Sequence, residues 1–264
     1  MASMLEVIDE GECCPTHPVP LLFVHGGWHG AWCWDEHFLD FFADNGFRAA
    51  AVSLRGHGKS DIEQPLNTCS IADYVDDVRA AAELLGGSPV VIGHSMGGYV
   101  VQKYLHTADA PAGVLMASAP PQGAGAASLR MMRRHPWAVL RTNTFGSTHD
   151  VVRTPRLARG HLFCRHTPRQ IVDDCVARLQ PESALAMKQM MSNKRVRPDL
   201  VATPLLVLGA DEDGAFNRGE VSATATAYRS DAEFFPTMGH NMMLEPGWRA
   251  VAERIANWLE SRGL

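Results

Sequence analysis

The sequence lacks the features that mark nucleic-acid-binding and membrane proteins. Its 24 Lys and Arg are outnumbered by 29 Asp and Glu, whereas a nucleic-acid-binding surface is usually basic. No apolar stretch approaches the about 20 residues that cross a bilayer. The first residues are acidic and have neither the basic start nor the apolar run of a signal peptide. These absences predict a cytoplasmic protein with no nucleic-acid partner and no membrane span.

The cysteines show no spacing typical of a metal site or a redox pair. None of the six stands in a C-x-x-C arrangement, and two of them are adjacent. A chain of 264 residues, 46% of them hydrophobic, can form a core without disulfides. We therefore expect reduced, mostly buried thiols and no metal site. The six are Cys13, Cys14, Cys33, Cys69, Cys164 and Cys175.

Basic and acidic residues are unevenly distributed along the chain. Residues 121–200 contain 14 Lys and Arg against 5 Asp and Glu, which leaves 10 basic and 24 acidic residues in the remainder. This asymmetry indicates two segments with different roles. The basic side chains either pair with the acidic remainder, which is the interpretation we favour, or attract a substrate that carries a carboxylate or phosphate.

Short apolar runs alternate with amphipathic stretches over most of the chain. Six runs are predicted as strands, at residues 20–24, 49–54, 89–92, 112–117, 204–208 and 232–235. Five stretches are predicted as helices, at residues 34–45, 71–85, 96–106, 220–228 and 247–261. Strands that alternate with helices predict an α/β fold, in which a mainly parallel central sheet carries helices on both faces.

The alternation is interrupted between residues 119 and 197. This segment is rich in Gly, Pro and Arg, has helical stretches and contains no convincing strand. It also includes nearly all of the basic residues described above. We predict a core domain of residues 1–118 and 198–264, with a helical cap of residues 119–197 inserted over one end of the sheet.

A G-x-S-x-G motif follows the third predicted strand and opens a helix, with Ser95 at its centre. In this context the serine sits on a sharp strand-to-helix turn, which exposes its hydroxyl as a nucleophile. The amide of Met96, at the helix N-terminus, would point toward charge that develops on an attacked carbonyl. An incidental serine in a glycine-rich turn is the weaker interpretation.

A nucleophilic serine needs a base and an acid that orients the base. Among 12 histidines, His240 stands out because it follows the last predicted strand on a glycine-preceded turn. Asp211 and Asp213 both follow the strand before it. We favour Asp213, because it lies later in the turn and can reach the imidazole. A loop histidine with an ordinary hydrogen bond remains the alternative for His240.

A second donor for the developing oxyanion is expected after the first predicted strand. That loop, residues 25–30, reads HGGWHG. Its glycines allow the backbone to approach a substrate oxygen without an intervening Cβ. We predict the amide of Gly27 as the donor. The alternative is that the glycines only form a tight turn.

These residues, with the motifs around them, resemble the α/β-hydrolase family over nearly the whole chain. The motifs are His25-Gly26, LRGHGKS at residues 54–60, GHSMGG at residues 93–98 and Gly239-His240. HGGWHGAWCW at residues 25–34 resembles the HGACHGAWCW-type stretch of plant methyl esterases and hydroxynitrile lyases. The turn at residues 212–215 is similar to the acid turn of that group, which favours Asp213. The resemblance implies a serine hydrolase without a cofactor, whose cap shapes the pocket.

Two positions depart from the lyases in this group. Those enzymes usually carry a threonine after the first histidine of the loop and a lysine after the catalytic histidine, where this chain has Gly26 and Asn241. Ester hydrolysis is therefore favoured over lyase activity. The family also contains C–C hydrolases, lactonases and cofactor-free dioxygenases that use the same three residue types, and no motif here separates these from esterases.

Several apolar side chains are candidates for lining the pocket. Met187, Met190 and Met191 share one helical face, which fits either an adaptable lid or ordinary packing of the cap on the core. Packing is the favoured interpretation. The predicted substrate-binding residues are Trp28, His29, Met131, Trp137, Met187 and Met242.

His57 lies in the LRGHGKS stretch and could be mistaken for the base. We interpret it as part of a structural turn in which Arg55 and Lys59 face solvent or neighbouring loops.

The sequence thus predicts a serine hydrolase of a small to medium, largely apolar ester or lactone. Ser95 would attack, His240 would be the general base, and Asp213 would orient it. The substrate would be a small molecule, and a homodimer is left open. A C–C hydrolase or lyase with the same residues, or a non-catalytic ligand-binding protein, is the alternative.

Overall fold

The computed structural model describes residues 4–134, 148–191 and 196–264, and a seven-stranded sheet lies at its centre. The strands are β1 (Val7–Glu10), β2 (Leu21–Val24), β3 (Ala49–Val52), β4 (Val90–His94), β5 (Gly113–Met116), β6 (Leu205–Ala210) and β7 (Ala232–Phe235). Their order is β1-β3-β2-β4-β5-β6-β7. All neighbours pair in parallel except β1, which is antiparallel to β3. The predicted fold class is confirmed.

The edge strand β1 was not predicted from the sequence. Its four residues are half-buried or exposed and end in Asp9 and Glu10, so they form no apolar run. The strand exists because β3 offers it a partner, with Val7 opposite Val52. Charged residues on such an edge also discourage pairing with another chain.

Helices lie on both faces of the sheet and in the segment between β5 and β6. They are α1 (Trp32–Asp35), α2 (Phe38–Asp44), α3 (Ile71–Leu84), α4 (Met96–Tyr104), α5 (Gly125–Arg134), α6 (Pro155–Leu162), α7 (Arg169–Arg178), α8 (Ala184–Met191), α9 (Arg218–Ala227) and α10 (Trp248–Glu260). The helix predicted at residues 34–45 is two helices, because His37 between them has a non-helical backbone. α3 begins with a capping box between Ser70 and Asp73, which satisfies two donors at its N-terminus.

The segment between β5 and β6, residues 119–197, is here called the cap segment. Its described residues form α5 to α8 and a short 3-10 helix, and they include no strand. Among the described residues, three of its arginines make ion pairs with acidic residues outside the basic segment 121–200: Arg130 with Glu220, Arg165 with Glu212, and Arg178 with Glu36. This pairing agrees with the favoured interpretation of the charge asymmetry.

All six cysteines lie within the described residues. All six cysteines are free, and Cys33, Cys69, Cys164 and Cys175 are buried. Within the described ranges, no helix combines the length and the apolar character that crossing a bilayer requires.

The turn from β4 to α4 brings a helix unusually close to two strands. A Cβ added to Gly93 would lie 2.6 Å from the carbonyl oxygen of Gly97, and one added to Gly97 would overlap the carbonyl oxygens of Val24 and His25. These neighbours are backbone atoms and cannot rotate away. The turn therefore requires glycine at both positions, and it holds Ser95 at φ +53°, a conformation that costs about 1–3 kcal/mol in a non-glycine residue.

We predict that Gly97→Ala destabilises the protein by about 3 kcal/mol or more, because the new methyl group can be accommodated only if the backbone of β2 moves. Gly160→Ala is the matched control. Gly160 also lies in a helix, but its added Cβ would meet no atom within 4 Å, so we expect a gain of about 0.5–1 kcal/mol. Urea denaturation followed by circular dichroism measures both. Equal stability of the two variants would contradict the close-approach argument.

Candidate active site

Three side chains from three separate turns form one hydrogen-bonded chain. Ser95 stands on the turn after β4, Asp213 follows β6, and His240 follows β7. His240 Nε2 lies 2.8 Å from Ser95 Oγ, and its Nδ1 lies 2.9 Å from Asp213 Oδ2. The carboxyl ends of parallel strands lie at one edge of the sheet, so residues far apart in sequence meet there.

The hydrogen-bond partners assign the protons of this chain. The Asp213 carboxylate only accepts, so Nδ1 of His240 carries the hydrogen and Nε2 of the neutral ring is free to accept from the Ser95 hydroxyl. Asp213 Oδ1 is held in turn by the backbone N–H groups of Ala215 and Phe216, at 2.7 and 3.0 Å. The ring is thus oriented for proton transfer from Ser95.

The two acids that compete in the sequence have different surroundings. The Asp213 side chain is buried and faces His240. Asp211 is partly exposed and makes an ion pair with Arg218 on α9. The structure therefore places Asp213, the acid favoured from the sequence, beside the imidazole.

The turn that carries His240 is fixed from two sides by residues that sequence reasoning missed. His94 Nε2 donates to the carbonyl oxygen of His240 at 2.9 Å. The buried carboxylate of Glu245 accepts from the backbone N–H groups of Gly239 and Cys164 at 2.9 and 2.6 Å, and from the Thr167 hydroxyl. Cys164 and Thr167 belong to the cap segment, so Glu245 connects it to the histidine turn. In the sequence, Glu245 is marked only by its position as a single acidic residue after the apolar residues 242–244.

The loop after β2 passes beside Ser95. The side chain of His25 braces it, because Nε2 accepts from the backbone N–H of Leu54 and Nδ1 donates to the carbonyl of Gly26. Complete burial is the main cause that lowers the pKa of His25 to about 3, so its ring is neutral. Gly27 and Met96, the two predicted amide donors, line the same cavity as Ser95.

This cavity has a volume of about 470 Å³ and is mainly apolar. Of the predicted substrate-binding residues, Trp28, Met131 and Met187 line it, and Trp137 lies outside the described residues. Half of the chain's 12 methionines contribute to the wall: Met96, Met131, Met132, Met187, Met190 and Met191. The polar wall residues include His161 and Lys188, both on the cap segment. Met190 is also buried in the hydrophobic core, whereas Met191 is exposed.

The structure places the other two predicted substrate-binding residues elsewhere. His29 is buried behind the loop, where Nδ1 donates to the carbonyl of Gly27 and Nε2 accepts from the Asn241 amide. Burial, as the largest cause, lowers its pKa to about 4. Met242 is fully buried in the hydrophobic core. Trp28, next to His29 in sequence, lines the cavity, and His240, two residues before Met242, hydrogen-bonds to Ser95. The side chains of His29 and Met242 themselves point away from the cavity.

In the LRGHGKS stretch that contains His57, the contacts of Arg55 differ from the expectation that it faces solvent or a neighbouring loop. The Arg55 side chain is only 26% exposed, because its guanidinium pairs with the buried carboxylate of Asp77 at 2.6 Å. Lys59 is exposed, as expected. His57 is completely buried against Glu182 of the cap segment, with Nε2 and Oε2 3.2 Å apart.

Within the described part of the chain, no group of three or more His, Cys, Asp or Glu residues is arranged to hold a metal.

Comparisons with known proteins agree with this architecture. A bifunctional esterase/perhydrolase from Acinetobacter calcoaceticus is 40% identical over 108 residues, which are 39% of this chain and 38% of the relative. Methylesterase 18 from Arabidopsis thaliana is 33% identical over 79 residues, 29% of each protein. The matched segments therefore span well under half the length of these relatives.

A solved structure and a family model extend over much more of the chain. A thermophilic esterase from Thermogutta terrifontis matches with a TM-score of 0.78 and 23% identity, over 99% of this chain and 95% of the other. At 23% identity, this likeness shows that the two chains share a fold. The model of the alpha/beta hydrolase family matches residues 21–254. Because that match runs from the first parallel strand into the last helix, this chain belongs to the alpha/beta hydrolase family.

Proposed function

We propose that this protein is a serine hydrolase of carboxylic esters. The observation that carries the proposal is the chain Ser95–His240–Asp213, with contacts of 2.8 and 2.9 Å, at a cavity that Ser95 lines. A nucleophile, a base within hydrogen-bond reach and an acid that orients the base are the parts that acyl transfer needs. Relatives named as an esterase/perhydrolase and a methylesterase support the same class of reaction.

In the proposed mechanism, Ser95 Oγ attacks the ester carbonyl while its proton passes to His240 Nε2. Asp213 stabilises the imidazolium that forms and keeps its tautomer. The amides of Gly27 and Met96 bind the oxyanion, and loss of one such donor typically costs about 10²–10³ in rate. His240 then gives the proton to the leaving alkoxide. Water, activated by the same imidazole, releases the acid from Ser95.

The cavity supports an apolar substrate of small to medium size. Its methionine side chains are flexible and polarisable, so they adapt to different apolar groups. We propose an ester or lactone that places its carbonyl at Ser95 and its apolar part among these methionines. The division into a core of residues 1–118 and 198–264 and a cap of residues 119–197 stays a prediction, as do the cytoplasmic location and the homodimer.

The alternative reaction classes use the same three side chains. A lyase of this group would carry a lysine at position 241, whereas the Asn241 amide is buried against His29 and Cys175 and supplies no cation. This arrangement favours hydrolysis over lyase chemistry. A C–C hydrolase would be labelled by a serine-directed phosphonate yet hydrolyse no ester, and a non-catalytic binding protein would be inert to both.

We predict that Ser95→Ala abolishes turnover of p-nitrophenyl esters and labelling by a fluorophosphonate probe, because the attacking oxygen is removed. Ser128→Ala is the control, since Ser128 also lines the cavity and its hydroxyl donates to Met191 Sδ. This control should keep both signals within a few-fold. Ester turnover that persists in Ser95→Ala would contradict the proposed nucleophile.

The two neighbouring acids allow a second, matched test. Asp213→Asn should lower kcat by as much as about 10⁴-fold, because an amide at this position favours the wrong imidazole tautomer. Asp211→Asn removes a partly exposed ion pair with Arg218, and such pairs contribute little, so kcat should change less than a few-fold. Steady-state kinetics on one p-nitrophenyl ester decide between them. Equal losses in both variants would reject Asp213 as the orienting acid.

A further inference from the structure

A buried acid of the cap segment lies beneath the loop that carries Gly27. Glu182, between α7 and α8, has no exposed side-chain surface. Its Oε1 accepts from the Tyr74 hydroxyl at 2.5 Å and from the backbone N–H of Ser183 at 2.6 Å. Its Oε2 faces His57 Nε2 at 3.2 Å. This carboxylate is therefore enclosed by donors from the core and by its own backbone.

The partners of His57 indicate that its ring carries both protons. Nδ1 lies 3.2 Å from the carbonyl oxygen of Arg55, which can only accept, so Nδ1 donates. Nε2 lies 3.2 Å from Oε2 of the Glu182 carboxylate, and neither atom has a hydrogen-bond partner of good geometry, so a proton on Nε2 gives the buried carboxylate a counter-charge. Burial lowers the pKa of His57, but the nearby Glu182 outweighs it and the pKa lies above its ordinary value. For Glu182, burial raises the pKa, and His57 with the other donors lowers it below its ordinary value.

The other titratable groups near this pair do not change charge in the neutral range. His25, whose ring centroid is 5.2 Å from that of His57, has a pKa of about 3 and is neutral. His29 is neutral as well, with a pKa of about 4. Burial and Glu182 raise the pKa of Tyr74 far above its ordinary value, so its hydroxyl keeps the proton. His57 is thus the group that sets the net charge beneath the loop.

The pair lies directly against the proposed oxyanion-binding loop. A Cβ added to Gly27 would be 3.8 Å from both Cγ and Oε2 of Glu182. The cap segment is joined to the core two residues before Glu182, because the backbone N–H of Gln180 donates to the carbonyl of Trp28 and the Gln180 side chain accepts from the N–H of Gly58. A displacement of Glu182 would therefore be transmitted to Gly27.

We propose that His57 and Glu182 form a neutralised ion pair that positions the oxyanion-binding loop and keeps net negative charge away from it. Both are positioning residues, since they act through Gly27 and touch no reacting atom. This inference rests on the proposed function. It explains why a fully buried carboxylate is tolerated beside a site where negative charge must develop: the imidazolium of His57 cancels it.

The pair makes the rate depend on pH in a way that the Ser95–His240–Asp213 chain alone does not. When His57 loses its proton in alkaline solution, Glu182 remains as an unpaired carboxylate near the developing oxyanion. Repulsion between two such charges in a partly buried site would slow the reaction by about tenfold or more. The effect falls on kcat, because the oxyanion forms after the substrate binds.

The test compares wild type with Glu182→Gln, using kcat and KM for a p-nitrophenyl ester from about pH 6 to about pH 9.5, a range that starts below the ordinary histidine pKa of about 6.5 and extends well above it. Wild type should lose about tenfold in kcat on the alkaline side with little change in KM. Glu182→Gln has no carboxylate that could become unpaired, so the alkaline decline of its kcat should disappear. Glu233→Gln is the control, because it removes a carboxylate that pairs with Arg254 and leaves the partners of His57 and Glu182 unchanged. It should keep the wild-type decline.

A second variant and a second measurement cover the case in which Glu182→Gln does not fold. His57→Gln leaves the Glu182 carboxylate unpaired already at neutral pH, so its kcat near pH 7 should be about tenfold below that of wild type, again with KM little changed, and the two should converge as wild-type His57 loses its proton in alkaline solution. Stability gives an independent readout. The folded-state pKa of His57 is raised, so its contribution is complete below the ordinary value of about 6.5 and is lost as pH rises through the folded value. The Tm of wild type should therefore fall in alkaline solution more than that of His57→Gln.

The outcomes separate this inference from the proposed function. If wild type is labelled at Ser95 by the fluorophosphonate and hydrolyses the ester, but the alkaline decline is the same in Glu182→Gln or kcat of His57→Gln near pH 7 equals that of wild type, the ion-pair proposal is overturned and the hydrolase proposal stands. If wild type is neither labelled nor active, both are rejected.

Discussion

The site depends on the close contact between the first turn of α4 and the ends of β2 and β4. Gly93 and Gly97 have no room for a side chain, and this contact forces the residue between them into a left-handed backbone. Ser95 cannot relax without separating a helix from the sheet. The strain is small beside the many packing interactions of a seven-stranded core, so the fold can hold the hydroxyl at a fixed position above the sheet edge.

Buried polar residues then fix what surrounds Ser95. His94 and Glu245 hold the backbone of the turn that carries His240, while His25 and His29 donate to carbonyls of the loop that carries Gly27. Each is buried and hydrogen-bonded, which makes its loss costly and its geometry well defined. The histidines in this shell are neutral, because burial lowers the pKa of each one. His57 is the exception, since Glu182 offers it a counter-charge.

The fold and the meeting of Ser95, His240 and Asp213 could be predicted because their signals are local. Ser95 is marked by the glycines that its turn requires, and His240 and Asp213 each follow a strand that an apolar run reveals. In parallel sheets, functional residues collect at the carboxyl ends of the strands, and this rule predicts that Ser95, Asp213 and His240 lie close together. β1 escaped prediction because an exposed edge strand needs no apolar run. His29 was misplaced because its position beside Gly27 says nothing about which way its side chain points.

The sequence by itself determined the α/β architecture, the strained turn and the identity of the groups that meet at its edge. Only the tertiary structure decided between Asp213 and Asp211, directed His29 and Met242 into the protein interior, and brought Glu245 and Glu182 against backbone from distant segments. The reason is physical. A turn or a strand is specified by neighbouring residues, whereas the partner of a buried charge is specified by whatever the folded chain places within about 3–4 Å of it.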